Sequence, residues 1–357
     1  MPNCNWKILQ IQRKLPFLVL ELWIPYGAWD TEPGRSGEAH LAEHVLIGII
    51  RRNLSFYEQV NSYGYTNSYR IRISWIMEPS RLQERIGAIV NDLSRAALDQ
   101  KLFDQEKSKV IQEINTIKKT DSLTLVEEVE QIIYQKKKEE VTAQGDTRQL
   151  EQIDFPSFLE KLKKVMNEEG IVFTLTGDIE DLNLFPNRQP LTEHTSQVSL
   201  SLKQGRDEMC LSLSTHDGDI KAFRWQIWDI GSAHAAEILE TFLEFRSADE
   251  RIRIRSVRHR NDMLFIFIIP KDVRSWQEKF SGELFQKVYE MYYIEQRYLT
   301  AEPRKEAERI AEDVFETTFH KEGREISSWQ IWERFQKMIN PEVKASIKNI
   351  VFQRLWE

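Results

Sequence analysis

The chain has 357 residues, 41% apolar and 29% charged, with a formal net charge of −7. That length exceeds one ordinary hydrophobic core and suits two domains, and the composition is that of a folded globular chain rather than a disordered one. The acidic balance, with no basic patch, argues against nucleic acid as a partner, and the two distant cysteines, Cys4 and Cys210, offer neither a disulfide framework nor a cysteine metal site.

The opening MPNCNWKILQIQRK has no continuous apolar core of the signal-peptide kind, and its alternation already reads as a strand. With the cysteine usage, this leads us to expect a reducing, cytoplasmic location. The longest apolar run, MLFIFIIP at 263–270, is far short of the roughly twenty residues of a membrane span and reads as a half-buried strand.

In chain order, WKILQIQR and FLVLELWIPYGAW are strand candidates, followed by the turn-rich DTEPGRSGE and a helix expected to start near Ser36 or Gly37. The stretch TNSYRIRISWIM (66–77) alternates like one strand, and SRLQERIGAIVNDLSRAAL (80–98) has helical spacing. FDQEKSKVIQEINTIKK (103–119) predicts a charged helix with Val110, Ile111, Ile114 and Ile117 on its apolar side. A further helical region reaches about Met166, and IVFTLTGDIE (171–180) reads as a buried strand ending in a Gly-Asp turn.

The proline-containing LNLFPNRQPLTEHTSQ carries the best linker, drawn at 186–197 between domains of 1–185 and 198–357. Beyond it, VSLSLKQ and EMCLSLSTH look like strands, AHAAEILETFLEFR like a helix and MLFIFIIP like a strand. PRKEAERIAEDVFETTF, SSWQIWERFQKM and PEVKASIKNIVFQRL then look like helices, the last with Pro341 at its start. The order strands, helices, strand, helices thus recurs, which suggests an internal duplication. The expected fold class is α+β, two similar domains each with a mainly antiparallel sheet packed against helices.

The chemistry concentrates in GEAHLAEHVLIG. On a helix, His40 and His44 project from one face, close enough to share an ion through their imidazoles, with Glu43 beside them. A catalytic zinc needs a third protein ligand. Glu106 and Glu113, seven residues apart on the next strongly helical segment, point the same way, and one carboxylate could ligate while the other supports it. Against this stands the plain alternative of a chance H-x-x-E-H on an amphipathic helix, with Glu113 a solvated acid.

H-x-x-E-H is the inverted zincin motif, and here the sequence resembles the pitrilysin, insulinase and mitochondrial processing peptidase family of zinc endopeptidases. SGEAHLAEHVLIG and EKSKVIQEI resemble that family's two metal-site blocks, VNSYGYTNSYRIRIS its edge-strand segment, and IVFTLTGDIE the close of its first domain. IGSAHAAEILETFLEFRSADERIRIRSV resembles a helix and strand of its second domain.

The resemblance implies His40, His44 and Glu113 as Zn2+ ligands, Glu43 as general base and Glu106 as a supporting carboxylate. It also implies an edge strand around Tyr65 to Tyr69 that binds extended peptide, with Asn67 and Arg246 as substrate-binding residues. The family's second domain pairs an arginine with a tyrosine seven residues on. Arg246 matches the arginine, but the tyrosine position falls on Arg253, and by the same resemblance a helix is trimmed around 215–232. The expectation is a zinc metalloendopeptidase subunit that hydrolyses peptides or leader segments in an enclosed chamber, working with a second family-related subunit or as a homodimer. The rivals are a noncatalytic peptide-binding or scaffold subunit of the same family, and an unrelated helical interaction protein.

Overall fold

The computed structural model describes residues 6–179 apart from 13, 118–121 and 137–141. It also describes the stretches 211–214, 218–226, 253–260 and 262–271 and the single positions 236, 240, 304, 305, 308, 311, 312 and 315. The linker at 186–197, Arg246, and most of the helices expected after residue 227 lie outside them.

Strands β1 (Lys7–Gln12) and β2 (Leu18–Ile24) open the chain, followed by helices α1 (Glu38–Arg51) and α2 (Phe56–Val60) and a hairpin of β3 (Tyr63–Thr66) and β4 (Ile71–Met77). Helices α3 (Leu82–Ser94), α4 (Gln100–Ile117), α5 (Ser122–Tyr134), α6 (Thr147–Gln152) and α7 (Phe155–Met166) lead to β5 (Val172–Gly177). The sheet order is β1-β5-β2-β4-β3, with β1 parallel to β5 and every other pairing antiparallel.

Every residue of β2, β4 and β5 is buried, so the sheet is covered on both faces. Alternation sorts the side chains. Ile71, Ile73, Trp75 and Met77 of β4 join Leu18, Leu20, Leu22 and Ile24 of β2 in the main core with α1, α3 and α7. Trp75 stacks on Phe173 at 5.8 Å, and Trp6 anchors the first strand by donating Nε1–H to the Met166 carbonyl at 2.9 Å. The opposite face holds Trp23, Glu21, Arg72 and Ser74, and there Ala311 and Phe315 pack against Leu9, Trp23, Tyr69 and Val172. Asp146 and Asp154 start α6 and α7 by accepting backbone N–H bonds from Arg148, Gln149 and Ser157.

One expectation needs correction. The run 66–77 is not a single strand: Asn67 Oδ1 accepts the backbone N–H groups of Tyr69 and Arg70 at 3.0 and 2.9 Å, which turns the chain and splits the run into a hairpin. The edge strand is therefore Tyr63–Thr66 rather than Tyr65 to Tyr69.

A second sheet has the order β6-β7-β9-β8, all antiparallel, from β6 (Leu211–Ser214), β7 (Gly218–Gln226), β8 (Arg253–Arg258) and β9 (Asp262–Pro270). Part of the span in which a helix looked trimmed is thus strand β7, and β9 is the apolar run MLFIFIIP with Asp262 before it. The chain is α+β. It divides into one unit of Met1–Thr192 with Pro303–Lys321 and another of Glu193–Glu302 with Glu322–Glu357. The first unit thus includes the stretch Pro303–Lys321 from beyond the linker at 186–197. Among the described residues no helix is long and apolar enough to cross a membrane.

Candidate metal centre

Helix α1 is the central element of the first unit. Leu41, Ala42, Val45, Leu46, Ile49 and Ile50 are buried along it, and His40 and Glu43 are buried with them. Gly37 precedes it with φ at +94°, and Gly145, φ +100°, lies against Gly37 so closely that a β-carbon on Gly145 would come within 2.2 Å of the Gly37 α-carbon. This backbone-on-backbone contact carries the Gln144 carbonyl to 3.0 Å from His40 Nδ1. A proton on Nδ1 satisfies that bond and leaves the Nε2 lone pair facing the site.

Helix α4 packs along α1 through Phe103, Val110 and Ile114, which are buried in the same core. The packing turns Glu106 and Glu113 toward the histidines. Glu113 Oε1 lies 3.8 Å from His40 Nε2, and Glu113 Oε2 lies 3.4 Å from His44 Nε2. Glu106 Oε2 is 3.5 Å from His44 Nδ1 on the other side of the ring, and Lys109 Nζ holds Glu106 Oε1 at 2.7 Å.

Among the described residues, His40, His44 and Glu113 form the group whose donor atoms converge, all within 4.8 Å of one another. Donors placed 2.0–2.2 Å from a tetrahedral zinc stand about 3.3–3.6 Å apart. The 3.8 and 3.4 Å spacings run to the two Glu113 oxygens, and one donor atom from each residue lies within 4.8 Å of the others, so the three fit such an ion after a modest inward shift. The donor types, two imidazoles and a carboxylate, fit it as well. His40 is buried, His44 half-buried and Glu113 exposed, so the group opens on one side.

The electrostatics follow from the same neighbours. Burial lowers the proton affinity of His44, but the Glu106 hydrogen bond and the charges of Glu43, Glu113 and Glu106 outweigh it, and the imidazole titrates above its ordinary value. Burial raises Glu106, and the bonds from His44 and Lys109 reverse this and hold it below the usual carboxylate range. Glu43 is pushed up by burial, against the pull of Thr66 and the two imidazoles.

Strand β3 closes over Glu43. Thr66 Oγ1 donates to Glu43 Oε2 at 2.7 Å, and Gly64 passes so close that a β-carbon on it would stand 2.5 Å from Glu43 Oε1. No strand pairs with the outer edge of β3 among the described residues. Asn67 lies in the hairpin turn with its side-chain oxygen engaged there, and Arg253 opens β8. Sequence reasoning had not singled out Gly64, Thr66 or Gln144. The pattern YGYT following a short helix was the one trace of the first two, and a backbone carbonyl leaves no trace at all.

No family model and no curated protein sequence matches the chain. Solved structures do. The periplasmic protease PqqL from Escherichia coli superposes with a TM-score of 0.65 at 14% identity, over 99% of this chain and 45% of that one. A protein from Alicyclobacillus acidocaldarius described as an M16-like peptidase gives 0.65 at 10% identity, over 97% and 93%. A chain of complex III2 from Candida albicans gives 0.65 at 11% identity, over 96% and 89%. The fold is thus the one found in M16-like peptidases, and the chain spans about half the length of PqqL.

Proposed function

We propose that the chain is a zinc-dependent endopeptidase subunit, with His40, His44 and Glu113 as metal ligands and Glu43 as general base. The observation that carries this reading is the convergence of the three donors beside a buried carboxylate roofed by a sheet edge whose outer side has no partner strand among the described residues.

Bound zinc supplies a water of lowered pKa and a Lewis acid for the substrate carbonyl. The chain's own groups do the rest. An extended peptide adds to the outer edge of β3 through main-chain hydrogen bonds, which hold it largely independently of sequence. Glu43 takes the proton of the attacking water and delivers it to the departing amine. Thr66 fixes one carboxylate oxygen and leaves the other, beneath Gly64, for the transfer. Glu106 orients His44, and the Gln144 carbonyl orients His40.

Likeness to one half of PqqL supports an assembly in which a second chain, related or identical, completes the enclosure. Arg246 remains the substrate-binding candidate from the second half. The second reading, a noncatalytic peptide-binding or scaffold subunit, draws on the same fold in a chain of complex III2.

Elemental analysis and peptide hydrolysis test the proposal together. The parent is expected to hold about one zinc per chain, Glu113→Ala to lose it, and Glu43→Gln to keep it while losing hydrolysis of an unstructured peptide. A parent without zinc after supplementation overturns the metal site. Full activity in Glu43→Gln removes Glu43 as base. Zinc retained with no hydrolysis, alone or with a partner chain, selects the scaffold.

A further inference from the structure

Strand β3 is short, lies at a sheet edge and, among the described residues, pairs only with β4, so its register needs an outside constraint. Register matters here more than in an ordinary edge. A slip of one residue would turn Tyr63 and Tyr65 toward Glu43 in place of Gly64 and Thr66, at a spot where even a β-carbon does not fit.

The constraint comes from both sides of the turn that feeds the strand. From α1, Arg51 donates Nε–H to Ser62 Oγ at 2.8 Å and Nη2–H to the Ser62 carbonyl at 3.0 Å. From the far half of the sequence, Arg304 donates Nη2–H to the Asn61 carbonyl at 2.9 Å and to Ser74 Oγ at 3.2 Å. Its guanidinium lies 4.4 Å from the centre of the Tyr63 ring. Tyr63 and Ser74 are partners in the β3–β4 register, so one guanidinium grips both members of the first pair and the carbonyl just ahead of it. Arg72 adds a bond to the Tyr63 hydroxyl at 3.0 Å, and Glu308, one helical turn after Arg304, pairs with Arg72.

We propose that Arg304 is a positioning residue: it sets the register of the edge strand that roofs Glu43 and thereby holds both the base and the strand on which substrate would align. The part concerning substrate rests on the peptidase reading; the part concerning register does not.

The test uses full-length Arg304→Ala and Arg304→Lys, with hydrogen-exchange mass spectrometry on segments covering 61–66 and 38–51. We expect about tenfold faster exchange at 61–66 and none of that change at 38–51. Lysine should not rescue, because one ammonium cannot span two oxygens and a ring face as a planar guanidinium does. If the parent hydrolyses peptides, KM for extended peptides should rise by about tenfold in Arg304→Ala with a smaller change in kcat. Unchanged exchange at 61–66 overturns the proposal whether or not the parent is active, and so does a parallel rise at 38–51, which would make Arg304 a general packing residue. Faster exchange at 61–66 with an unchanged KM overturns the substrate part. Faster exchange with an inactive parent supports the register role while the peptidase reading falls.

Discussion

The Glu43 carboxylate and the Gly64 α-carbon share a space too small for one more methyl group: a β-carbon on Gly64 would stand 2.5 Å from Glu43 Oε1 and 2.6 Å from Ile47 Cδ1. Two of the three nearest obstacles are the far ends of side chains, and the third, Glu43 Cγ at 2.7 Å, lies further down its chain, so Gly64→Ala should cost about 1–3 kcal/mol, the range of overpacking. The greater effect is on Glu43, which must turn away from Thr66. We expect Gly64→Ala to fold, to keep its zinc and to lose most peptidase activity, as read by melting, elemental analysis and a peptide assay. An alanine variant with parental turnover would show that the approach of β3 does not matter to Glu43.

Gly145 presents the opposite case, because its neighbour is backbone. A β-carbon there would meet the Gly37 α-carbon at 2.2 Å, and φ is +100°. Gly145→Ala should therefore displace the loop and withdraw the Gln144 carbonyl from His40 Nδ1. Loss of such a bond to a ligating histidine typically weakens metal binding by about 10–100-fold, which a competitive zinc titration of the folded variant would detect. Parental zinc affinity would leave the Gln144 contact without a role in the site.

The helix carrying H-x-x-E-H was legible because the spacing of His40 and His44 matches one helical turn, and Glu106 and Glu113 were legible because seven residues make two turns. The features that join these helices were not. Gly37 against Gly145 is a tertiary contact between backbones, and the Gln144 carbonyl is available from any residue type. The hairpin was misread because Asn67, a turn former, interrupts a run that otherwise alternates well. Strand β7, DIKAFRWQ within it, escaped notice because Lys221 and Arg224 dilute its apolar content, although its full length pairs with β9. The face of Arg304, Glu308, Ala311, Glu312 and Phe315 was read as helical, but its place on the first sheet follows from charges some 230 residues away, such as Arg72 with Glu308.

Short helix α2 depends on one carboxylate. Glu58 accepts from the Ser55 backbone and hydroxyl, each at 2.7 Å, from the Glu78 backbone at 3.2 Å and from Arg85 at 3.0 Å. Burial raises its pKa, but these four donors outweigh it and hold Glu58 below its ordinary 4.5. A depressed folded pKa means that stability is present above about pH 4.5 and is lost as pH falls through the lower folded value. The difference in unfolding free energy between the parent and Glu58→Gln should therefore shrink as pH is taken from 6 to about 3. A difference that stays constant over that range would remove Glu58 as the titrating group.

Glu21 is fully buried and relies on Arg72, whose Nε donates to it at 2.9 Å. Burial already raises the Glu21 pKa, with Arg72 as the main opposing influence. Arg72→Met strips that opposition and should destabilise the first unit by about 3–5 kcal/mol, the usual cost of leaving one partner of a buried pair alone. Adding Glu21→Gln removes the stranded charge and should recover part of the loss, even though the Glu308 and Tyr63 contacts of Arg72 stay broken. The pH dependence has a definite sign. With its folded pKa raised above the unfolded value, Glu21 in Arg72→Met carries a penalty that is full above the folded pKa and relieved as pH falls and the carboxyl takes up a proton. Denaturant melts of both variants from pH 8 down to about pH 5 check this. The single variant should gain on the double variant as pH falls, and parallel curves would mean that Glu21 is not the charge left behind.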